Sequence, residues 1–127
     1  MANTDKFITF VAAEAITEFA LVSVDTAGKV VITDAATDAR CIGVAQRACD
    51  SGDVVEVVIS GKTRVIAGAT IANSVSLVMA STDGKVATHA TSGNYAIGSI
   101  IPNVNQVSSA SGDQVLINFT GPKLLIP

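Results

Sequence analysis

The sequence predicts an all-β fold: a compact β-barrel or sandwich of two similar halves, related by a pseudo-two-fold internal repeat, with an extended N-terminal arm. Three observations carry this. The run Val54-Val55-Glu56-Val57-Val58-Ile59-Ser60 is filled with β-branched residues and closed by Gly61, the signature of a strand. Short apolar runs alternate with Asp/Thr/Gly clusters along most of the chain, as hairpins require. The order of these runs occurs twice. Gly28-Lys29-Val30 returns as Gly84-Lys85-Val86, Ile42-Gly43 as Ile97-Gly98, Gly52-Asp53 as Gly112-Asp113 and Gly61 as Gly121, at a spacing of about 55 to 60 residues. Two copies are too few for a solenoid, which needs about three or more. They fit one domain in 127 residues.

The elements follow in order. Residues 1–6 are polar and without periodicity. Phe7-Ile8-Thr9-Phe10-Val11 is strongly β-forming and has no evident partner in the second copy, so residues 1–11 read as an arm: an edge strand, or a strand lent to a neighbour. Ala12 to Ala20 mixes helix formers with Thr and Phe and reads as a loop or one helical turn. Leu21 to Asp25 and Lys29 to Thr33 form a hairpin around Thr26-Ala27-Gly28. Asp34 to Asp38 is a polar loop. Cys41 to Gln46 and Val54 to Ser60 flank the turn Asp50-Ser51-Gly52-Asp53. Gly61-Lys62 reads as a tight turn into Thr63 to Ala67, which makes a three-stranded meander. Ile71 to Ser74 reads as a turn. Val75 to Met79 and Lys85 to Thr88 repeat the first hairpin. Ala96 to Ile101 is a strand stopped by Pro102, which lacks the ladder donor. Asn103 to Ser111 reads as a long polar loop, and Gln114 to Thr120 as the last main strand. The body spans 12–121, with halves of about 13–61 and 69–121, and 122–127 is an apolar tail bounded by prolines.

Composition narrows the function classes. Hydrophobic residues make up 49% and charged residues 15%. A surface so short of charge fits one partly covered by a partner, or a small protein rich in Ala, Ser and Thr. Aromatics are 4%, with no Trp, which argues against stacking platforms for single strands or sugars. A net charge of −3 argues against a basic nucleic-acid face. No apolar run approaches the ~20 residues of a membrane span, and the polar start lacks the apolar core of a signal peptide. Synthesis and residence in an aqueous compartment, the cytosol, are expected.

Chemistry-bearing residues are few. His89, the only histidine, would have to serve any Ser-His-Asp triad, and no acidic residue lies between Lys85 and Gly112. The Gly-Asp pairs at 52–53 and 112–113 are ordinary turn chemistry. Cys41 and Cys49 match no common zinc spacing and read as free thiols. Asp34, Asp38, Asp50 and Asp53 do not match a calcium loop, and no phosphate-binding glycine motif is present. No catalytic residue, cofactor or metal is expected.

The runs Cys41-Ile42-Gly43-Val44-Ala45, Gly52-Asp53-Val54-Val55-Glu56-Val57 and Gly61-Lys62-Thr63-Arg64-Val65 resemble the core of small capsid decoration (cement) proteins of tailed bacteriophages. Asp83-Gly84-Lys85-Val86, Ile97-Gly98 and Gly112-Asp113 with Val115-Leu116-Ile117 fit the same pattern, over roughly residues 8 to 121. The family usually has Gly where this chain has Ala72-Asn73-Ser74. The resemblance implies a structural protein made in the host cytoplasm and carried on the outer surface of the virion. It further implies a homotrimer that binds the major capsid protein and bridges neighbouring copies of it, with no nucleic-acid or membrane partner. The alternative is a non-enzymatic β-rich module of a tail or fibre that recognises a host surface ligand; scarce Trp and Tyr weigh against a glycan.

The contact residues expected for capsid or subunit binding are Asn3, Thr4, Lys6, Phe7, Ile8 and Phe10 in the arm, and Leu124, Leu125 and Ile126 in the tail. Phe7 and Phe10 are the anchors, because a strand apolar on both faces needs cover on both. An apolar tail likewise needs a surface to pack on.

Overall fold

β-Branched runs punctuated by glycine turns give eleven described strands, and the sheet they form curls strongly into a half-barrel. The computed structural model describes residues 6–35, 40–69, 71–72, 77–89, 95–101, 108–109 and 111–124. The strands are β1 (Lys6–Val11), β2 (Leu21–Val24), β3 (Val30–Ile32), β4 (Cys41–Ala45), β5 (Val54–Ile66), β6 (Ile71–Ala72), β7 (Leu77–Ala80), β8 (Val86–Thr88), β9 (Tyr95–Ile100), β10 (Ser108–Ser109) and β11 (Gln114–Leu124). All the ladders between them are antiparallel. The main sheet runs β3-β2-β4-β5-β11-β9-β7-β8, with β1 on β5, and β10 pairs with β6 apart from it.

The two halves share register as well as order. Val22 pairs with Gly43 and Val78 with Gly98; Val44 pairs with Val58 and Ser99 with Asn118. Even the irregularity recurs: the ladder slips between Val22 and Ser23, and again between Val78 and Met79. Gly43 and Gly98 explain part of this. Each crosses close to the next strand, and a Cβ on either would run into a carbonyl, that of Val58 or of Asn118.

Three expectations need correction. Gly61 makes no turn. Its φ of +106° lets β5 twist without reversing, and the strand continues unbroken for 13 residues. Its first part belongs with β4, while Gly61 to Ile66 pair with β11. There is therefore no meander. Second, the N-terminal strand has a counterpart. Phe10 pairs with Val55 as Val65 pairs with Val115, and Val11 with Val54 as Ile66 with Gln114. The second copy of β1 is the C-terminal part of β5, hidden inside one long strand. Third, Ile71 does not sit in a turn: Ile71-Ala72 is a strand on Ser108-Ser109, as Ile16 bridges Cys49 in the first half. Ala12 to Ala20 takes the loop form of its two expected readings: bends at Ala13-Glu14 and a turn at Glu18-Phe19, with bridges at Ala12 and Ile16 and Phe19 at φ +62°.

Alternation along the strands builds two cores. In the first half Val22, Val30, Val55 and Val57 face one cluster with Ala12 and Ile16. In the second half Val78, Val86, Val115 and Ile117 face another with Ala67 and Ile71. The part of the main sheet from β3 to the start of β5, with β1, is the first sheet, and the part from the end of β5 to β8 the second. Leu21, Cys41 and Val44, on the opposite face of the first sheet, belong to that second cluster. The inner face of the second sheet therefore packs on the outer face of the first. Burying side chains such as Phe119 and Ile117 contributes about 1.5–3 kcal/mol each.

Candidate apolar contact surface

β1 is held by β5 along its whole length, Phe7 opposite Val58 and Val11 opposite Val54. The extended N-terminal segment thus lies on its own chain from Lys6 onward, and its other edge carries no ladder among the described residues. Phe7, Thr9 and Val11 share one face with Val54, since paired residues point the same way. That face is open: Phe7 is 62% exposed, Val54 49% and Val11 38%. Ile8, on the opposite face, is 47% exposed. An apolar cluster beside an unpaired strand edge is unusual on an isolated surface and marks a contact site.

An ion pair stands on the same face, with Glu56 opposite Thr9 between Phe7 and Val11. Arg47 Nε donates to Glu56 Oε1 at 2.8 Å, and its Nη2 donates to the carbonyl of Val54. The hydrogen bond from Arg47 holds the Glu56 carboxyl below the usual carboxylate range, and the same bond raises Arg47. Both groups are about half exposed, so the pair adds a polar centre to the face and little stability.

The expected contact residues divide as follows. Lys6, Phe7 and Ile8 are exposed on β1. Phe10 is half-buried against the first core and is not a free anchor. Leu124 ends the described chain on β11, paired with Tyr95 in the second sheet, away from the ladder of β1. Asn3, Thr4, Leu125 and Ile126 lie outside the described residues. Val11, which alternation along the arm places on the face of Phe7, belongs to the surface as well, whereas Val54 was missed. Val54 needed the cross-strand register.

Two aspartates among the described residues are engaged in turns. Asp25 Oδ1 accepts the backbone N–H groups of Ala27 and Lys29, both at 2.9 Å. Asp53 Oδ2 accepts that of Asp50 at 3.2 Å. His89 is half-buried at the end of β8. Cys41 and Cys49 are free thiols, the first buried. Among the described residues no three His, Cys, Asp or Glu side chains are grouped to hold a metal. What the described surface offers is apolar area on a rigid ladder.

No family model matches the chain, and no curated protein does. Among solved structures it is similar to the N base of the head fiber gp8.5 of bacteriophage phi29. The TM-score is 0.71, the match covers 96% of this chain and 99% of that one, and identity is 17%. The likeness is one of fold, over nearly the full length of both chains.

Proposed function

We propose that this chain is a structural virion protein of a tailed bacteriophage, carried on the outside of the head. The supporting observation is the near-complete fold match to the base of a phage head fiber. In this reading the protein binds the major capsid protein, cements neighbouring copies of it and stabilises the shell, acting as a homotrimer without catalysis. The face carrying Phe7, Val11 and Val54 meets the capsid. These groups are exposed on the free chain, and burying them on a partner releases water from apolar area.

Co-sedimentation with expanded capsids tests the reading. The unsubstituted chain is expected to pellet with capsids, and Phe7→Ser with Val54→Ser to reduce that binding at least tenfold while the β circular dichroism is kept. Equal binding by the folded variant would remove this face from the interface. Absence of capsid binding by the unsubstituted chain would overturn the proposal.

A further inference from the structure

The repeat lets each position in one half be compared with its equivalent in the other. On the inner faces, the second half is covered throughout and the first only in part, around Val22, Val30, Val55 and Val57. Ile8 is 47% exposed, while its equivalent Thr63 is 6% exposed. Phe10, Ile42 and Ile59 are half-buried, while Val65, Ile97 and Phe119 are buried. On the outer faces the order reverses. Leu21 and Val44 of the first sheet are fully buried, whereas Leu77 and Ser99, their equivalents in the second, are half-buried.

One contact accounts for all of this: the inner face of the second half on the outer face of the first. Three bonds fix it. Gln46 Nε2 donates to Thr63 Oγ1 at 3.0 Å. The N–H of Gly84 donates to the carbonyl of Thr33 at 2.8 Å, and that of Asp83 to Asp34 Oδ1 at 3.0 Å. Gly84 lies so close that a Cβ would come within 2.8 Å of the Ala20 Cβ. The contact is not reciprocated. Gly28, the equivalent of Gly84, has nothing within 4 Å of a Cβ position.

We infer that the same contact is made again between two copies of this chain, head to tail: the inner face of one copy's first sheet, around Ile8, Ile42 and Ile59, covers the outer face of another copy's second sheet, around Leu77, Ser99 and Ile101. Both halves of the joint already exist in each chain, in matching register, and each is left open: Ile8 is exposed on one side, and Leu77, Ser99 and Ile101 are half-buried on the other. The side chains change in concert. Gln46 and Thr63 form a polar pair inside the chain; their equivalents are Ile101 and Ile8, an apolar pair suited to association. Such a joint uses different surfaces on its two sides, so it continues from copy to copy, closing as a ring in the homotrimer proposed above, rather than ending at a two-fold dimer. This names the contact by which the copies proposed above associate, and rests on that part of the reading alone.

The test needs no capsid, so its failure leaves head binding standing. Ile8→Asp and Ile101→Asp each break one side of the joint. Sedimentation velocity is expected to show the unsubstituted chain as an oligomer, each folded variant as a monomer, and their equimolar mixture as a dimer, because the mixture retains one intact joint. An unsubstituted monomer, a variant that keeps the parent oligomer, or a mixture that stays monomeric overturns the inference. Cysteine pairing supplies a second readout if an aspartate variant fails to fold. In a Cys41→Ala/Cys49→Ser background, Ile8→Cys and Ile101→Cys are expected to form disulfide dimers only when mixed. Dimers from either alone, or none from the mixture, overturn it.

Discussion

Ser23 and Thr33 share a buried hydrogen bond between their hydroxyls, 2.6 Å long. Ser23 stands on β2 and Thr33 just beyond β3, where the first sheet receives the second half. Both are almost wholly buried. Ser23→Ala removes one hydroxyl and strips Thr33 of this partner, so a loss of about 1–3 kcal/mol is expected. Ser23→Ala with Thr33→Val is expected to recover part of it, since neither side then holds an unmet hydroxyl. Urea unfolding of both variants decides this; a double variant weaker than the single by the full value of a second loss refutes it.

Gly98 crosses the main chain of Asn118, where a Cβ would sit 2.5 Å from the carbonyl oxygen. Backbone cannot move aside as a flexible side chain can. Gly98→Ala is expected to cost about 1–3 kcal/mol through overpacking, and Gly43→Ala a similar amount. Thermal melts unchanged by either substitution would contradict the close approach.

Phe7 and Phe10 lie on opposite faces of β1 and carry different loads. Phe10 packs into the first core; Phe7 faces outward. Phe10→Ala is expected to destabilise by about 2 kcal/mol, below the range for a fully buried ring. Phe7→Ala is expected to change stability by less than about 0.5 kcal/mol. The two denaturation midpoints measure this directly, and equal losses would mean that both rings serve the fold.

The Arg47–Glu56 pair sets a pH dependence of known sign. The folded-state pKa of Glu56 is depressed, first by the hydrogen bond from Arg47. Its stabilising contribution is therefore present above the unfolded glutamate pKa and lost as pH falls through the lower folded value. The stability difference between the native chain and Glu56→Gln is expected to be small at neutral pH, to shrink in the acid range, and to be reduced by salt. A difference that grows on acidification would reverse the assignment.

Much of the fold was legible. The glycine and Gly-Asp positions gave the two hairpins and their repetition, because turn chemistry is local. What escaped were features set by distant pairing. Gly61 carries the same signal whether the chain reverses or merely twists; only the ladder of Thr63 with Ile117 decides. Phe7 to Val11 and Lys62 to Ile66 occupy one structural place with no shared residue, so the equivalence is invisible without register. The contact surface was half legible. Alternation isolates Phe7 and Ile8, but whether a ring such as that of Phe10 turns inward depends on the core beneath it.

β5 has a consequence for how the molecule comes apart. One unbroken strand carries hydrogen bonds to β1 and β4 at its start and to β11 at its end. Neither half can lose its order without fraying a strand the other needs, and Leu21, Cys41 and Val44 of the first half would lose their cover at the same moment. Melting one half first would expose both ladder and core of the other. The two copies therefore behave as a single cooperative unit, with one calorimetric transition whose van't Hoff and measured enthalpies agree.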